Sequence, residues 1–340
     1  MSLETLKTLC ALDGTSGRES TVRDYLYERL QESPAQTEIA LSPMGNLIVR
    51  VRGHKRPART LMFDAHMDEV GVIVTGLAAD GTLRFAAVGG IDPKVLFGRR
   101  VRINGHVGVI GGKAFHQCTE EERGKVPSVD AMRIDLGTDS REESAALVSV
   151  GDTGVFDSDF VPLYGSRFKA KALDDRAGCA LLLRLTEEIP EYDMVLSFSV
   201  QEEIGCRGAK TAAYTVKPDV AVVIDSTTAS DTAGVPEDKE VCRVGQGPVV
   251  SFMDRATLYD KELFDRVMAT AAREGIPAQP KTRVAGGNNA SAIQQAGEGC
   301  LVTAVSLPCR YIHSASSVLD EADVENTFRL LKALIGELAR

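Results

Sequence analysis

Arg59-Thr-Leu-Met-Phe63 runs directly into Asp64-Ala-His-Met-Asp68, and this stretch decides the fold. A short apolar run of strand length gives way to a His and an Asp two residues apart. In open α/β sheets, ligands gather beyond the carboxyl ends of the strands. At a spacing of two in extended chain, His66 and Asp68 face the same side. The stretch therefore predicts a core strand that delivers polar side chains to a site. A His beside an Asp suits a metal ligand steadied by a neighbouring carboxylate, and also suits a loop with local hydrogen bonds.

Towards the N-terminus, Ser16-Gly-Arg-Glu19 predicts a capping box opening a helix, with Val22, Tyr25, Leu26 and Leu30 at helical spacing. Strands are predicted at Thr37 to Leu41 and at Asn46 to Val51, joined by a Pro43-Met-Gly45 turn. From Val70 to Leu163 short β-rich runs dominate: Val70–Thr75, Leu83–Val88, Arg100–Ile103 and His106–Ile110. Asn104-Gly105 between the last two is a strong hairpin marker. Beyond Ala170 strands and helices alternate again: a helix at Arg176–Glu188, strands at Met194–Val200 and Val220–Asp225, and a helix at Asp260–Glu274. The final helix, Asp320–Leu338, carries its apolar stripe on Val324, Phe328, Leu331, Ile335 and Leu338. The pattern predicts an α/β domain, residues 1–69 and 164–340, interrupted by a β-rich domain over 70–163.

Composition narrows the function classes. The chain has 340 residues, about two domains at roughly 150 residues each, with 44% hydrophobic and 26% charged residues. Lys plus Arg is 39 against 48 Asp plus Glu, a net charge of -9, with no basic cluster of the kind nucleic acid requires. No apolar run reaches membrane-spanning length, and Glu4, Lys7, Asp13, Arg18 and Glu19 interrupt any signal-peptide core. The expectation is a soluble, cytoplasmic protein. Seven scattered cysteines without a Cys-x-x-Cys pair argue against disulfides and thiolate zinc, and are read as buried reduced thiols.

Further chemistry-bearing residues recur at element ends. Asp174-Asp175 precedes the predicted helix at Arg176, where acids also serve as ordinary caps. Glu202-Glu203 follows the apolar strand Met194–Val200; adjacent carboxylates repel, so a cation or a shifted pKa is the natural compensation. Asp225 is expected to close a third strand, and His313 precedes the final helix. Carboxylates mixed with imidazoles, without thiolates, suit zinc, cobalt or manganese. Their number fits two metals sharing a bridging carboxylate, as in two-metal hydrolases. One glutamate of the 202/203 pair reads as a ligand; the residues alone leave open which.

Five ordered motifs resemble those of the tetrahedral aminopeptidase family, the glutamyl-aminopeptidase and endoglucanase-M-like dinuclear metallopeptidases. They are Asp64-Ala-His-Met-Asp-Glu-Val-Gly71, Ala172-Leu-Asp-Asp-Arg-Ala-Gly178, Val200-Gln-Glu-Glu-Ile-Gly205, Val223-Ile-Asp-Ser226 and Ile312-His-Ser314. Gly108-Val-Ile-Gly-Gly-Lys-Ala-Phe-His116 and Glu120-Glu-Glu-Arg123 match within the insertion. The resemblance implies an α/β/α sandwich with a mixed sheet and an inserted small all-β, PDZ-like or barrel dimerisation domain, and dimers assembling into a hollow tetrahedral dodecamer. It implies an aminopeptidase acting on short peptides with two divalent ions per subunit, zinc first, cobalt or manganese as alternatives. Asp174 would bridge the ions; His66 and Asp225 would complete one site, Glu203 and His313 the other. Glu202 would be the general base, and Asp68 would support His66 and tune that base. Two divalent ions would bring the formal charge to about -5.

The chain departs from the family at Gly286-Gly-Asn-Asn289, where Gly-Thr-Asp is usual, so substrate preference or loop hydrogen bonding is expected to differ. The preferred N-terminal residue is not legible. A related dinuclear deacylase or carboxypeptidase is disfavoured because its lid would be inserted after the acidic ligands. A glycosidase would need paired carboxylates about 5–9.5 Å apart without metal, and aromatic sugar platforms; this chain has no Trp. A catalytically silent assembly protein is the remaining alternative, and the complete ligand set argues against it.

Overall fold

Two helices, α1 (Leu3–Ala11) and α2 (Ser20–Gln31), precede strands β1 (Thr37–Leu41), β2 (Leu47–Val51) and β3 (Leu61–His66) in the computed structural model, which describes residues 3–340. Six strands follow: β4 (Gly71–Leu77), β5 (Leu83–Val88), β6 (Arg100–Ile103), β7 (His106–Gly111), β8 (Arg133–Asp135) and β9 (Thr153–Phe156). Short helices α3 (Glu120–Arg123) and α4 (Arg141–Leu147) lie between them. Next come β10 (Val161–Pro162), β11 (Arg167–Ala170), α5 (Leu173–Arg184), β12 (Met194–Ser199), α6 (Arg207–Val216) and β13 (Val220–Thr228). The chain ends with β14 (Val249–Val250), α7 (Lys261–Arg273), β15 (Gln279–Pro280), α8 (Ala290–Gln294), β16 (Leu301–Cys309), β17 (Ser317–Asp320) and α9 (Glu321–Leu338).

Eight strands form a mixed sheet in the order β1-β2-β12-β3-β13-β16-β14-β15. Its centre, β12, β3, β13 and β16, is parallel, and β1, β2 and β14 add antiparallel pairings. Parallel strands covered on both faces need apolar side chains at nearly every position, which is how β3, β12 and β13 read. Along β3 the alternation is clear: Leu61, Phe63 and Ala65 pack with α1, α2, α5 and α9, while Met62 packs with α6 and α8 on the opposite face. The result is the expected α/β/α sandwich.

β4 to β9 close into an antiparallel barrel in the order β4-β5-β8-β7-β6-β9. Its interior is filled by alternating residues, among them Val72, Val74, Leu83, Phe85, Val101 and Ile103. The four β-rich runs expected between Val70 and Ile110 are all strands here; β8 and β9, at three and four residues, lack enough alternation to stand out.

Several local expectations need correction. Glu19 sits at the N-cap of α2 but makes no capping bond; its Oε1 accepts from the N–H of Gly17 (2.7 Å) and of Gln201 (3.1 Å). Ser16, the other half of the expected box, donates instead to Asp68. Tertiary partners outcompeted the local cap. Asp174 (ψ 104°) and Asp175 (ψ 41°) are not helical, so regular helix begins only after them. β13 runs on to Thr228, so Asp225 lies inside a strand rather than at its end. All seven cysteines are free, but only Cys10, Cys179, Cys242 and Cys309 are buried; Cys118, Cys206 and Cys300 are half-buried.

Candidate metal centre

The parallel register sets the site. His66, the last residue of β3, lies level with Ser199, the last of β12, so the chain beyond β12 delivers Glu202 and Glu203 above His66. Asp174 and Asp175 enter from the start of α5, and Asp225 from β13 next door. His313 comes from the loop between β16 and β17, held in a left-handed conformation (φ 57°).

These side chains form two trios. His66, Asp174 and Asp225 each offer an atom within 4.8 Å of the others, and so do Asp174, Glu203 and His313. Asp174 belongs to both. Its Oδ1 lies 3.3 Å from His66 Nε2 and its Oδ2 lies 3.3 Å from His313 Nε2. His66 Nε2 is 3.9 Å from Asp225 Oδ1, and His313 Nε2 is 3.1 Å from Glu203 Oε2. The far ring nitrogens are occupied: His66 Nδ1 meets the Asp68 carbonyl at 3.1 Å, and His313 Nδ1 meets the Gly90 carbonyl at 2.8 Å. A carbonyl requires Nδ1–H, so the neutral form of each ring turns its Nε2 lone pair to the cluster, the tautomer a metal ligand needs. Gly90 belongs to the segment after β5, so the barrel orients a histidine of the sandwich.

Electrostatics point the same way. Burial raises Asp225 well above the usual carboxylate range, with Asp174 adding to it. Burial likewise raises Glu203, and His313 opposes it. Burial also opposes ionisation of Asp174, yet its two histidines outweigh that and lower it. His313 is raised to about 11: burial works against its charge, and Asp174 and Glu203 overcome it. Carboxylates this close cannot all stay ionised without added positive charge. Two of their oxygens, Asp174 Oδ1 and Glu203 Oε1, are buried without any hydrogen-bond partner. Buried polar atoms are rarely left so, and a donor set of three carboxylates and two imidazole nitrogens fits divalent zinc, cobalt or manganese.

Glu202 stands outside both trios. Burial, reinforced by Glu203 and Asp174 against His66, pushes its carboxyl up to about 7. A carboxylate of that basicity can take a proton near neutral pH. Cys206, at the N-terminus of α6, directs its thiol to Glu202 Oε1 at 3.4 Å. Asp68 touches neither trio's far side but organises the approach. It accepts from the N–H of Glu202 (2.9 Å) and of Glu203 (3.1 Å) and from Ser16 Oγ (2.6 Å), with His66 Nδ1 3.4 Å from its Oδ1. Burial opposes its charge, but His66 and these donors hold its pKa below the usual range.

All seven residues singled out from the sequence thus meet in one place. Sequence reading missed the support beneath them. Glu69 is buried between Lys171 (2.7 Å) and Arg176 (3.0 Å), and the Arg176 Nε donates to the Met67 carbonyl at 2.8 Å, bracing the turn after β3. Gly286-Gly-Asn-Asn289, flagged as a departure, holds the loop. Asn289 donates to Asp64 (2.8 Å) and to Ser199 (2.9 Å), while Asn288 accepts from the Ala290 N–H at 2.9 Å. Lys281 also lines the pocket, a small space of about 150 Å³ shared with Asp174, Glu202, Glu203, Asp225 and His313. Burial lowers its pKa, against the pull of Asp225 and Asp254. No local pattern marks the task of any of these. Among the described residues no helix is long and apolar enough to cross a membrane.

The chain is similar along most of its length to known aminopeptidases. Residues 45–330 match the family described as M42 glutamyl aminopeptidase. A lysyl aminopeptidase of Pyrococcus furiosus is 32% identical over 349 residues, spanning 98% of this chain and 97% of its own. Among solved structures, an aminopeptidase from Desulfurococcus kamchatkensis superposes with a TM-score of 0.92 at 34% identity, covering 98% of this chain and 94% of that one. The TET1 peptidase of Pyrococcus horikoshii, described as assembling into a tetrahedron or a large octahedral shell, gives 0.86 at 32% identity, covering 98% of both.

Proposed function

The chain belongs to the M42 glutamyl aminopeptidase family, hydrolases of peptide bonds that depend on metal, and on that premise we propose that it removes N-terminal residues from short peptides with two divalent ions and Glu202 as general base. The observation that carries this reading is Asp174, whose two carboxylate oxygens each face a different histidine at 3.3 Å. One carboxylate serving two ligand trios is the arrangement of a bridged dinuclear site.

Held by His66 and Asp225 on one side of Asp174, and by Glu203 and His313 on the other, two divalent ions would polarise the scissile carbonyl and acidify the attacking water. Zinc is the first expectation, with cobalt or manganese served by the same ligands. Glu202 accepts the water proton and passes it to the leaving amine, the task its raised pKa suits. Asp68 holds the backbone of Glu202 and Glu203 in place through its two N–H contacts. The Gly90 carbonyl keeps His313 in the tautomer that leaves Nε2 free.

Residues 70–163 act as a dimerisation domain in this proposal, joining 1–69 and 164–340 of neighbouring subunits into dimers and then a tetrahedral dodecamer in the cytoplasm. A cage of that kind would admit short or unfolded peptides and exclude folded proteins. The related TET1 peptidase, described as a tetrahedral or octahedral shell, supports this. The test is release of p-nitroaniline from aminoacyl-p-nitroanilides by metal-reconstituted protein, beside elemental analysis. Two metals per chain, cleavage of free-amino but not N-acetylated substrates, and a loss of about 10²–10⁴-fold in Glu202→Gln at unchanged metal content are expected. Full activity in Glu202→Gln, or equal cleavage of N-acetylated substrates, refutes it.

A further inference from the structure

Beyond Ser199 the chain leaves β12, and the backbone N–H groups that follow have no ladder to join. Four in a row are taken by side-chain oxygens instead. Val200 donates to Asn46 Oδ1 (3.1 Å), Gln201 to Glu19 Oε1 (3.1 Å), Glu202 to Asp68 Oδ1 (2.9 Å) and Glu203 to Asp68 Oδ2 (3.1 Å). The three acceptors are buried and come from three places: the start of α2, the turn before β2 and the turn after β3. Further along the turn closes on itself. Gly205 and Cys206 donate to the Glu202 carbonyl (2.8 and 2.9 Å), and Gly208 donates to that of Val200 (3.0 Å). Asn46 grips this far end as well, Nδ2 donating to the Gly208 carbonyl at 2.9 Å. A Cβ at Gly208 would stand 2.4 Å from Asn46 Oδ1, so the close approach needs glycine there.

Two residues of this turn are forced. Gln201 (φ 57°) and Cys206 (φ 52°), on either side of the glutamate pair, are left-handed without being glycine. That conformation is unfavourable for a residue with a Cβ and persists only where the surroundings impose it, above all at functional sites. At Gln201 the imposing partner is Glu19, whose Oε1 binds the Gln201 N–H and is itself fixed by the Gly17 N–H at 2.7 Å. Released from Glu19, Gln201 would relax, and the rotation of its peptide would pass directly to Glu202. The arrangement also opposes stability. Burial raises the Glu19 carboxyl and nearby Asp68 adds to it, against the pull of the Gly17 and Gln201 N–H groups. Two carboxylates set against one turn repel each other, a cost without return unless the turn needs both.

We infer that Glu19 is a positioning residue for the hydrolysis: through the Gln201 N–H it fixes the backbone from which Glu202 and Glu203 reach into the site. This rests on the aminopeptidase reading and adds a residue that belongs to neither ligand trio and does not line the pocket. The Ser16–Glu19 stretch has the spacing of a helix cap, and its glutamate serves a turn more than 180 positions away.

Two variants separate the acceptor from the charge. Glu19→Asp keeps the charge but draws the oxygens back by one methylene, away from the Gln201 N–H. Glu19→Gln keeps an oxygen in that place and drops the charge. Hydrolysis of the best of a panel of aminoacyl-p-nitroanilides is measured on the metal-loaded proteins, with elemental analysis and with hydrogen exchange over 200–208 followed by mass spectrometry. Losing a hydrogen bond to an ionised acceptor shifts an equilibrium by about 10–150-fold. Glu19→Asp should therefore lower kcat by about 10-fold or more, with KM within about threefold and two metals per chain, and should speed exchange over 200–208. Glu19→Gln should stay within about fivefold of wild type in kcat and exchange slowly, since a neutral oxygen still fills the place. A fall in Glu19→Gln as deep as in Glu19→Asp would assign the effect to charge and overturn the inference. So would kcat in Glu19→Asp within twofold of wild type, or metal lost in step with activity, the mark of a merely structural role. Exchange stands apart from catalysis. A wild type that turns over no peptide, while exchange still quickens in Glu19→Asp alone, would refute the aminopeptidase reading and leave Glu19 as the anchor of this turn; equal exchange in all three proteins refutes the inference.

Discussion

Replacing Asp68 by Asn removes one charge and adds almost no change in shape, so its consequences can be worked out from its contacts. Oδ1 accepts from the Glu202 N–H at 2.9 Å, and Oδ2 accepts from the Glu203 N–H at 3.1 Å and Ser16 Oγ at 2.6 Å. An asparagine has one acceptor oxygen. Whichever way its amide turns, the NH2 group meets a backbone N–H head-on, and one charge-assisted bond is lost. Such bonds contribute about 1.5–3 kcal/mol, so the turn carrying Glu202 and Glu203, the proposed base and ligand, is loosened by that amount. If the turn must hold Glu202 against the attacking water, the loss appears as a fall of about 10–150-fold in kcat/KM, at 1.4 kcal/mol per decade. Asp68 is in neither ligand trio, so two metals per chain should remain. Steady-state hydrolysis of the best p-nitroanilide, with elemental analysis and a melting curve on the same preparation, measures all three. A folded Asp68→Asn protein with both metals and kcat/KM within twofold of wild type would show that the carboxylate does not position the base. Loss of one metal in step with activity would place its effect on His66 instead.

Glu69→Gln leaves Lys171 and Arg176 buried with their charge uncompensated, and should destabilise the fold by about 3–5 kcal/mol in denaturant unfolding; a change below about 1 kcal/mol would mean that the carbonyls of Leu12 and Met67 suffice as partners. Glu202 must be ionised to accept a proton; burial raises its carboxyl and divalent charge beside it would draw it back down, so kcat/KM should fall with a slope of one on the acid side, at a pH below about 7. An acid limb that persists unchanged in Glu202→Gln at full metal content would exclude Glu202 as the base.

Much of this site was legible because its pieces sit where local signals end. Apolar runs of strand length stop at His66, at Ser199 before Glu202-Glu203, and near Asp225, and a residue that interrupts such a run is visible without knowing its neighbours. The capping box misled for the opposite reason. Ser16 and Glu19 have the right spacing for a cap, but Asp68 and the Gln201 N–H, far along the chain, compete for the same atoms and win. The amides of Gly286-Gly-Asn-Asn289 were visible as a departure, while their task, holding Asp64, Ser199 and the start of α8, was not.

The chain's own order of residues determined the alternation of apolar strands and amphipathic helices, the β-rich interruption, and the residue types available for a metal, since each depends on side chains a few positions apart. Folding decided everything that depends on opposition across space. It set the two oxygens of Asp174 against two histidines, one ending β3 and one in the loop before β17, and brought the Gly90 carbonyl from the barrel to His313. It gave the buried Lys171 ammonium three acceptors, two from Glu69 and one from the Leu12 carbonyl. Charge, burial and hydrogen bonding are properties of neighbourhoods, and these neighbourhoods are assembled from segments separated by up to two hundred and more positions, a separation over which no periodicity in the sequence carries information.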